Sequence, residues 1–345
     1  MSDLMARLKK SGTIKSTQLS KSALFNAKDV IPTSVPMVNV ALSGRMDGGI
    51  TYGLTVLAGP SKHFKTAFGL LMMKAFLDKY PEAIALFYDS EFGTPQSYFE
   101  SFDIDTDRVL HVPIKNIEEL KFDIVNQLED MDVKDNVYIM IDSIGNLASK
   151  KEMDDAKDGK SVADMTRAKQ LKSLFRMVTP YLTLKDIPLI AINHTYQTQE
   201  MFSKSVVSGG TGVMYSADNV WVIGRRQNKK GTEIEGYDFI VNIEKSRFTK
   251  EKSKIPVSVT WEGGIKKYSG LLDVAIESGH VVKPSLGWYS KVDTATGEVS
   301  EKKVREKDTH TKEFWESIIN NDEFKTFMTN KYAIGRTSLI ESDDE

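Results

Sequence analysis

The segment Leu54-Thr55-Val56-Leu57-Ala58 is apolar at every position but one. It runs directly into Gly59-Pro60-Ser61-Lys62-His63-Phe64-Lys65-Thr66. No other stretch restricts the fold of this chain as strongly. A buried strand, a turn spaced G-x-x-x-x-G-K-[ST] and a following helix build a cradle of backbone N–H groups that holds phosphate. The helix is expected over 67–79. Here Phe64 occupies the second glycine position. It still has an N–H to donate, so the change removes room and backbone freedom, not a hydrogen bond. Gly59, Pro60, Ser61, Lys62, His63 and Phe64 would line the phosphates of a nucleotide, Lys65 would reach the β- and γ-oxygens, and the Thr66 hydroxyl would hold Mg²⁺. A strand, turn and helix with chance GP and KT dipeptides would share some of these letters. The apolar strand before and the helix after favour nucleotide binding.

With 345 residues, 40% hydrophobic and 27% charged, the chain has length for one large or two moderate domains with a proper core. Cysteine is absent, which excludes disulfides and thiolate zinc sites and suits a reducing compartment. The five histidines are too scattered for a histidine metal site. No apolar run approaches membrane-spanning length, so no membrane partner is expected. The N-terminal DLMARLKK carries charges inside its apolar pattern, which is not the form of a signal peptide. A formal net charge of -2 gives no general affinity for nucleic acid, so such binding must come from local basic patches.

Residues 1–24 are rich in Ser and Lys, with Leu4 and Leu8 on one face of a weak helix. They read equally as a frayed terminus or as an arm docking on a neighbouring subunit. Strands are then expected at 54–59, 83–89, 136–142 and 187–193, separated by helices that include 117–131 and about 162–182. This rhythm argues an α/β fold with a mostly parallel central sheet and helices on both faces. After residue 215 the strands NVWVIGRR, DFIVNIEKS and IPVSVTWEGG extend the sheet. Short helices and a Gly/Trp/Tyr segment then form a small lobe that ends in the acidic tip ESDDE.

Strand 136–142 ends on Asp142, at the edge of a parallel sheet where ligands bind, so Asp142 is a second candidate for holding Mg²⁺. Strand 83–89 ends on Asp89, with Glu91 two residues on. Glu91 is the candidate base for the water that attacks a γ-phosphate, and Asp89 reads as orienting the turn. Strand 187–193 leads to His194, either a strand cap or a sensor of the γ-phosphate. A long polar stretch follows and closes on Gly209-Gly210-Thr211-Gly212; loops of that length are functional or disordered. Basic residues gather at Lys150 and Lys151, at Lys157 and Lys160, and along one helix at Arg167, Lys169, Lys172 and Arg176. Others lie at 225–230 and 245–254. Each group alone is an ordinary solvated face. With Lys204 and the aromatics Tyr196 and Phe202 they can line a groove that tracks a phosphodiester backbone and stacks on bases.

The strings GPSKHFKT, LFYDSEFG, IMIDSIGNLASKKE, ADMTRAKQLKSLFR, AINHTYQTQEMFSK and GGTGVMYSAD carry a resemblance that spans nearly the whole chain. Together they resemble RecA-family recombinases, most closely those of T-even bacteriophages, which also tolerate Phe in the phosphate loop. The resemblance implies a RecA-like P-loop ATPase core over 31–268, an N-terminal oligomerisation arm over 1–30 and a small C-terminal lobe over 269–345. It implies that Glu91 activates water, that Tyr98 stacks on adenine, and that His194 stands where bacterial members sense ATP with glutamine. It makes 150–163 and 195–212 two DNA-binding loops, with Gly209 and Gly210 allowing close backbone approach. Lys245 and Arg247 would reach the γ-phosphate bound by an adjacent subunit, and 25–30 would add a strand to that neighbour.

The function so implied is ATP-dependent homologous recombination and strand exchange by a helical filament on single-stranded DNA that pairs with homologous double-stranded DNA. The expected partners are further copies of the chain, a single-strand-binding protein and a recombination mediator, in the cytoplasm of an infected bacterium. Two other readings use the same residues: a ring-forming RecA-like motor of the helicase type, and a DNA-binding scaffold whose ATPase has decayed at Phe64.

Overall fold

The computed structural model describes residues 3–22, 29–159, 166–197 and 205–335. An exposed helix α1 (Asp3–Ser11) precedes α2 (Pro36–Ser43), which Pro36 opens and Gly44 closes in the left-handed conformation, φ 75°. Then come β1 (Gly53–Ala58), α3 (Lys65–Lys79), β2 (Ile84–Asp89), α4 (Gln96–Glu100), β3 (Val109–Pro113), α5 (Ile117–Asp130) and β4 (Val137–Asp142). The chain continues through α6 (Lys150–Lys157), α7 (Thr166–Leu184) and β5 (Pro188–Asn193) to a hairpin of β6 (Thr195–Gln197) and β7 (Ser205–Val207). Next are α8 (Thr211–Ser216), β8 (Asn219–Lys230), β9 (Glu233–Ser246), β10 (Lys254–Thr260) and β11 (Gly264–Ile265). The last described segment holds α9 (Leu271–Glu277), β12 (Val281–Ser285), β13 (Trp288–Lys291), β14 (Val304–Arg305), α10 (Lys312–Ile319) and α11 (Asp322–Tyr332).

A nine-stranded sheet takes the order β11-β10-β9-β8-β1-β5-β4-β2-β3. Neighbours from β8 to β3 run parallel, and β8 to β11 pair antiparallel. This is the α/β architecture, with a mostly parallel central sheet, that the alternation of strands and helices predicts. β1, β4 and β5 are buried at every position, as their near-continuous aliphatic runs require of strands covered on both faces. The chain leaves β1 for β2, which lies beyond β5 and β4, so the carboxyl ends of these strands open on one crevice.

The sheet carries a separate apolar layer on each face. On one side Phe68, Phe76, Met140 and Trp221 pack with α2 and α3, and Trp315, Phe324 and Met328 of the C-terminal helices join the same cluster. On the other side Ile124, Leu128, Phe175 and Val178 of α5 and α7 close over Leu54, Ile139 and Leu189.

Local differences from the sequence expectation lie in the polar connections. Residues 150–157, expected within a loop, form α6. Ser149 Oγ caps it by accepting the Glu152 N–H, and Lys151 pairs with Asp155 at 3.1 Å one turn on. The stretch after His194 is not free of regular structure, because β6 and β7 pair across it. Among the described residues α7 begins at Thr166 and runs to Leu184, past the expected end at 182. Of the 25–30 segment expected to add a strand to a neighbour, 25–28 lie outside the described residues.

Candidate active site

The turn after β1 is shaped by what surrounds it. A Cβ on Gly59 would stand 2.8 Å from the Ile223 carbonyl oxygen, so this position has no room for a side chain. Phe64 takes the left-handed conformation, φ 61° and ψ 18°, that glycine supplies freely in such loops. That backbone costs a residue with a Cβ about 1 kcal/mol. Its ring stacks on Phe239 at 4.9 Å and meets Phe68 edge-on at 5.7 Å, so aromatic packing offsets the strain. Lys62 shares the left-handed geometry at φ 60°, and its carbonyl accepts Arg225 Nη1 at 3.1 Å. Burial holds the His63 imidazole below its ordinary range, and its Nδ1 donates to the Ser61 carbonyl at 2.9 Å.

Lys65 opens α3 and is buried, with Nζ donating to the Pro60 carbonyl at 2.8 Å. Burial lowers the pKa of its amine, and Glu91 and Asp142 oppose that shift. The cation is thus folded back over the turn, within reach of any anion the turn cradles. Thr66 Oγ1 donates to Asp142 Oδ2 at 2.7 Å and ties α3 to the end of β4. Burial, with Glu91 and Asp89 adding to it, pushes the Asp142 carboxyl up to about 6 against the Thr66 hydrogen bond. A carboxylate so disfavoured as an anion, beside a hydroxyl, is a hard-oxygen pair that suits a divalent cation. No cluster of three or more His, Cys, Asp or Glu among the described residues could complete a metal shell. The pair therefore fits Mg²⁺, which takes one or two carboxylates and fills its shell with phosphate oxygens and water.

β2 ends on Asp89, whose Oδ1 accepts the N–H groups of Glu91 at 3.0 Å and Phe92 at 2.8 Å. This turn lifts the chain from the sheet and aims Glu91 across the cleft. Glu91 Oε1 accepts Ser143 Oγ at 2.6 Å and Asn146 Nδ2 at 3.1 Å, and lies 3.0 Å from His194 Nε2. His194 first, then Ser143 and Lys65, hold the Glu91 carboxyl below its usual range in spite of its burial. It is therefore an anion at neutral pH. Gly145 allows the arrangement, since a Cβ there would lie 2.3 Å from His194 Cδ2.

The 61–66 turn, Glu91, Asp142 and His194 line one cleft of about 670 Å³. Tyr98 forms part of its wall, edge-on to Phe102 at 5.8 Å. Arg225, Tyr237 and Trp261 form another part: the guanidinium sits 4.6 Å over the Tyr237 ring, and Trp261, 65% exposed, meets Tyr237 edge-on. Sequence reasoning missed Ser143, Asn146 and Trp261, and saw Arg225 only as part of a basic run. Ser143 and Asn146 follow the Asp142 strand end in the chain, but nothing in their spacing shows that they aim at Glu91. For Arg225 and Trp261 the chain offers no signal either, because distant strands bring them in.

Not every expected residue enters the cleft. Lys245 Nζ donates to the Met214 and Tyr215 carbonyls at the end of α8, and Arg247 Nε pairs with Asp218. Neither lines the cleft of its own chain. Lys150, Lys151 and Lys169 are exposed, and Tyr196 is 55% exposed. Gly209 and Gly210, at φ 91° and 74°, turn the chain into α8. Lys160, Phe202 and Lys204 lie outside the described residues. Arg167 is not displayed as a phosphate contact would be. Its half-buried guanidinium turns inward onto the carbonyls of Ile144, Gly145 and Leu147, each at 2.8 Å.

The family model of the bacteriophage T4 recombination and repair protein, C-terminal domain, matches residues 268–328. The recombination and repair protein of Enterobacteria phage T4 is 53% identical over 340 residues, covering 97% of this chain and 87% of that protein. Protein RecA of Tropheryma whipplei is 26% identical, covering 79% of this chain and 61% of that protein. Protein RecA of Paenarthrobacter aurescens is also 26% identical, over 76% of this chain and 74% of its own length.

Proposed function

The chain belongs to the recombinase family of the phage T4 recombination and repair protein, to which the RecA proteins are more distantly related, and from this premise we propose how its residues work. It is a recombinase, a DNA-dependent ATPase that exchanges strands between homologous DNA molecules. ATP lies over the 59–66 turn with its base against Tyr98. Lys65 exchanges the Pro60 carbonyl for β- and γ-phosphate oxygens. Thr66 and Asp142 would hold Mg²⁺, which when bound neutralises charge on those oxygens. Glu91 accepts a proton from water as the water oxygen attacks the γ-phosphorus and the bond to the bridging oxygen breaks. Ser143, Asn146 and His194 hold the carboxylate at the distance this transfer needs.

The finer arrangement is part of the same proposal. Copies assemble into a helical filament on single-stranded DNA, with Lys245 and Arg247 of one reaching the γ-phosphate held by the next. Lys150, Lys151, Lys169, Tyr196 and the Gly209-Gly210 backbone face the strand and leave base edges free for a homologous duplex. Residues 1–30 act as the assembly arm, 31–268 as the core and 269–345 as the lobe. A single-strand-binding protein and a recombination mediator assist in the cytoplasm of an infected bacterium.

The observation that carries this reading is Glu91, bonded to three side chains at 3.1 Å or less, kept ionised by His194, Ser143 and Lys65, and placed in one cleft with Lys65 and Asp142. Steady-state ATP hydrolysis, with and without single-stranded DNA, tests it together with DNA affinity across a salt series. Turnover is expected to rise with DNA, and log affinity to fall steeply with log salt as counterions are released. Negligible turnover with and without DNA, with DNA binding kept, would make the site a structural one.

The Asp142 carboxyl supplies a second check. With its pKa near 6, it loses its charge as pH falls below that value, and a neutral carboxyl is a poor ligand for a divalent cation. Nucleotide affinity in Mg²⁺ is therefore expected to weaken as pH drops through that range. Affinity in excess chelator should hold or rise, because the same protonation removes an anion beside Lys65. Equal pH profiles with and without Mg²⁺ would assign the titration to another group.

A further inference from the structure

Arg167 lies in the first turn of α7, behind the Glu91 network and not on the exposed side of the helix. Its Nε donates to the Leu147 carbonyl and its Nη2 to those of Ile144 and Gly145, all at 2.8 Å, while Nη1 reaches Ser208 Oγ at 3.3 Å. Most of its donors are thereby committed to neutral acceptors within the protein. Such charge-assisted bonds are stronger than ordinary ones, and a planar fork can span acceptors that an ammonium cannot.

The carbonyls it gathers belong to the segment that leaves β4 directly after Asp142. Ile144 N–H donates to the Ile192 carbonyl at 2.9 Å, the Gly145 backbone lies against the His194 ring, and Asn146 Nδ2 reaches Glu91 Oε1 at 3.1 Å. On the other side, Ser208 N–H donates to the His194 carbonyl at 2.9 Å and the Ser208 carbonyl accepts Asn193 Nδ2 at 2.8 Å. One guanidinium thus joins the two segments that leave β4 and β5, and both carry side chains that touch Glu91.

We propose that Arg167 is a positioning residue for ATP hydrolysis: it fixes the 144–147 segment, and through Asn146 the Glu91 carboxylate, and does not bind a DNA phosphate. The inference rests on the role given to Glu91 above. Arg167→Lys keeps the charge and loses the fork. Its kcat in saturating single-stranded DNA is expected to fall ~10-fold or more, with KM for ATP within ~3-fold of the parent, the pattern of lost transition-state geometry. The salt slope of DNA affinity should not change.

Asn146→Ala is the companion, because it cuts the bond to Glu91 without touching any Arg167 contact. It should lower kcat similarly, and the double variant should be no worse than either alone. The proposal is overturned if Arg167→Lys keeps parental kcat, or if Arg167→Gln, which removes the charge, shrinks the salt slope by roughly 0.7, the mark of one lost contact to a single strand. Additive losses in the double variant also overturn it, as does parental kcat in Asn146→Ala. The parent protein separates the two levels. No DNA-stimulated turnover there sinks the functional reading itself, whereas normal stimulation with intact turnover in both variants sinks only the clamp.

Discussion

Replacing Glu91 with Gln is expected to lower DNA-stimulated ATP turnover by ~10²- to 10⁴-fold, the usual contribution of a positioned general base. The amide matches the carboxylate in size and can still accept from Ser143 and Asn146, so the cleft keeps its shape. What it loses is a group able to take a proton, together with the negative charge that His194 and Lys65 face. Nucleotide affinity should stay within several-fold of the parent. DNA binding in ATP should be retained, because the substitution touches none of the residues proposed to face the strand. A steady-state kcat within ~3-fold of the parent would remove Glu91 from the chemistry and return it to the structural hydrogen-bond network.

Phe64 gives the second large effect, on stability. Phe64→Ala is expected to cost about 3 kcal/mol, the low end for removing an aromatic ring from a core, since the ring packs on Phe68 and Phe239 but is only half-buried. Phe64→Gly removes the same ring and should nonetheless be the milder change by about 1 kcal/mol, because only glycine adopts the backbone at φ 61° without strain. This ordering inverts the usual cost of glycine relative to alanine. The order of melting temperatures, parent above Gly above Ala, is the measurement. Ala melting at or above Gly would mean that the turn relaxes out of the left-handed region once the ring is gone. The departure from the common loop sequence then reads as a substitution of means: aromatic packing holds a shape that glycine takes freely.

Much of the parallel sheet was legible because buried strands must be nearly continuous aliphatic runs, and β1, β4 and β5 are. β3 was not, since a short edge strand with Leu110 and His111 exposed has no apolar run to announce it. α6 was hidden for a related reason. KKEMDDAK buries nothing, and its helix rests on a cap and two local ion pairs, which periodicity does not register. In the candidate site the loop and the two strand-end carboxylates could be read because each sits at a fixed offset from its strand. Asn146 and Ser143 could not, because their aim at Glu91 depends on three strand ends lying side by side. Arg167 shows the limit most clearly. A basic residue at the start of a polar helix looks like a solvated cation until the carbonyls in front of it are known.

The sheet with a separate apolar layer on each face has a bearing on how the two ends of the reaction communicate. α3, which presents the phosphate loop, belongs to one layer, and α7, which carries Lys169 and Arg167, belongs to the other. The sheet is a partition between them, and what crosses it does so around the rim, through Thr66 with Asp142 and Glu91 with His194 and Asn146. Those are polar side chains, and none of them belongs to either apolar layer. Under the proposed function a change of nucleotide is passed between the two sides along this polar rim, and neither apolar layer has to open for it.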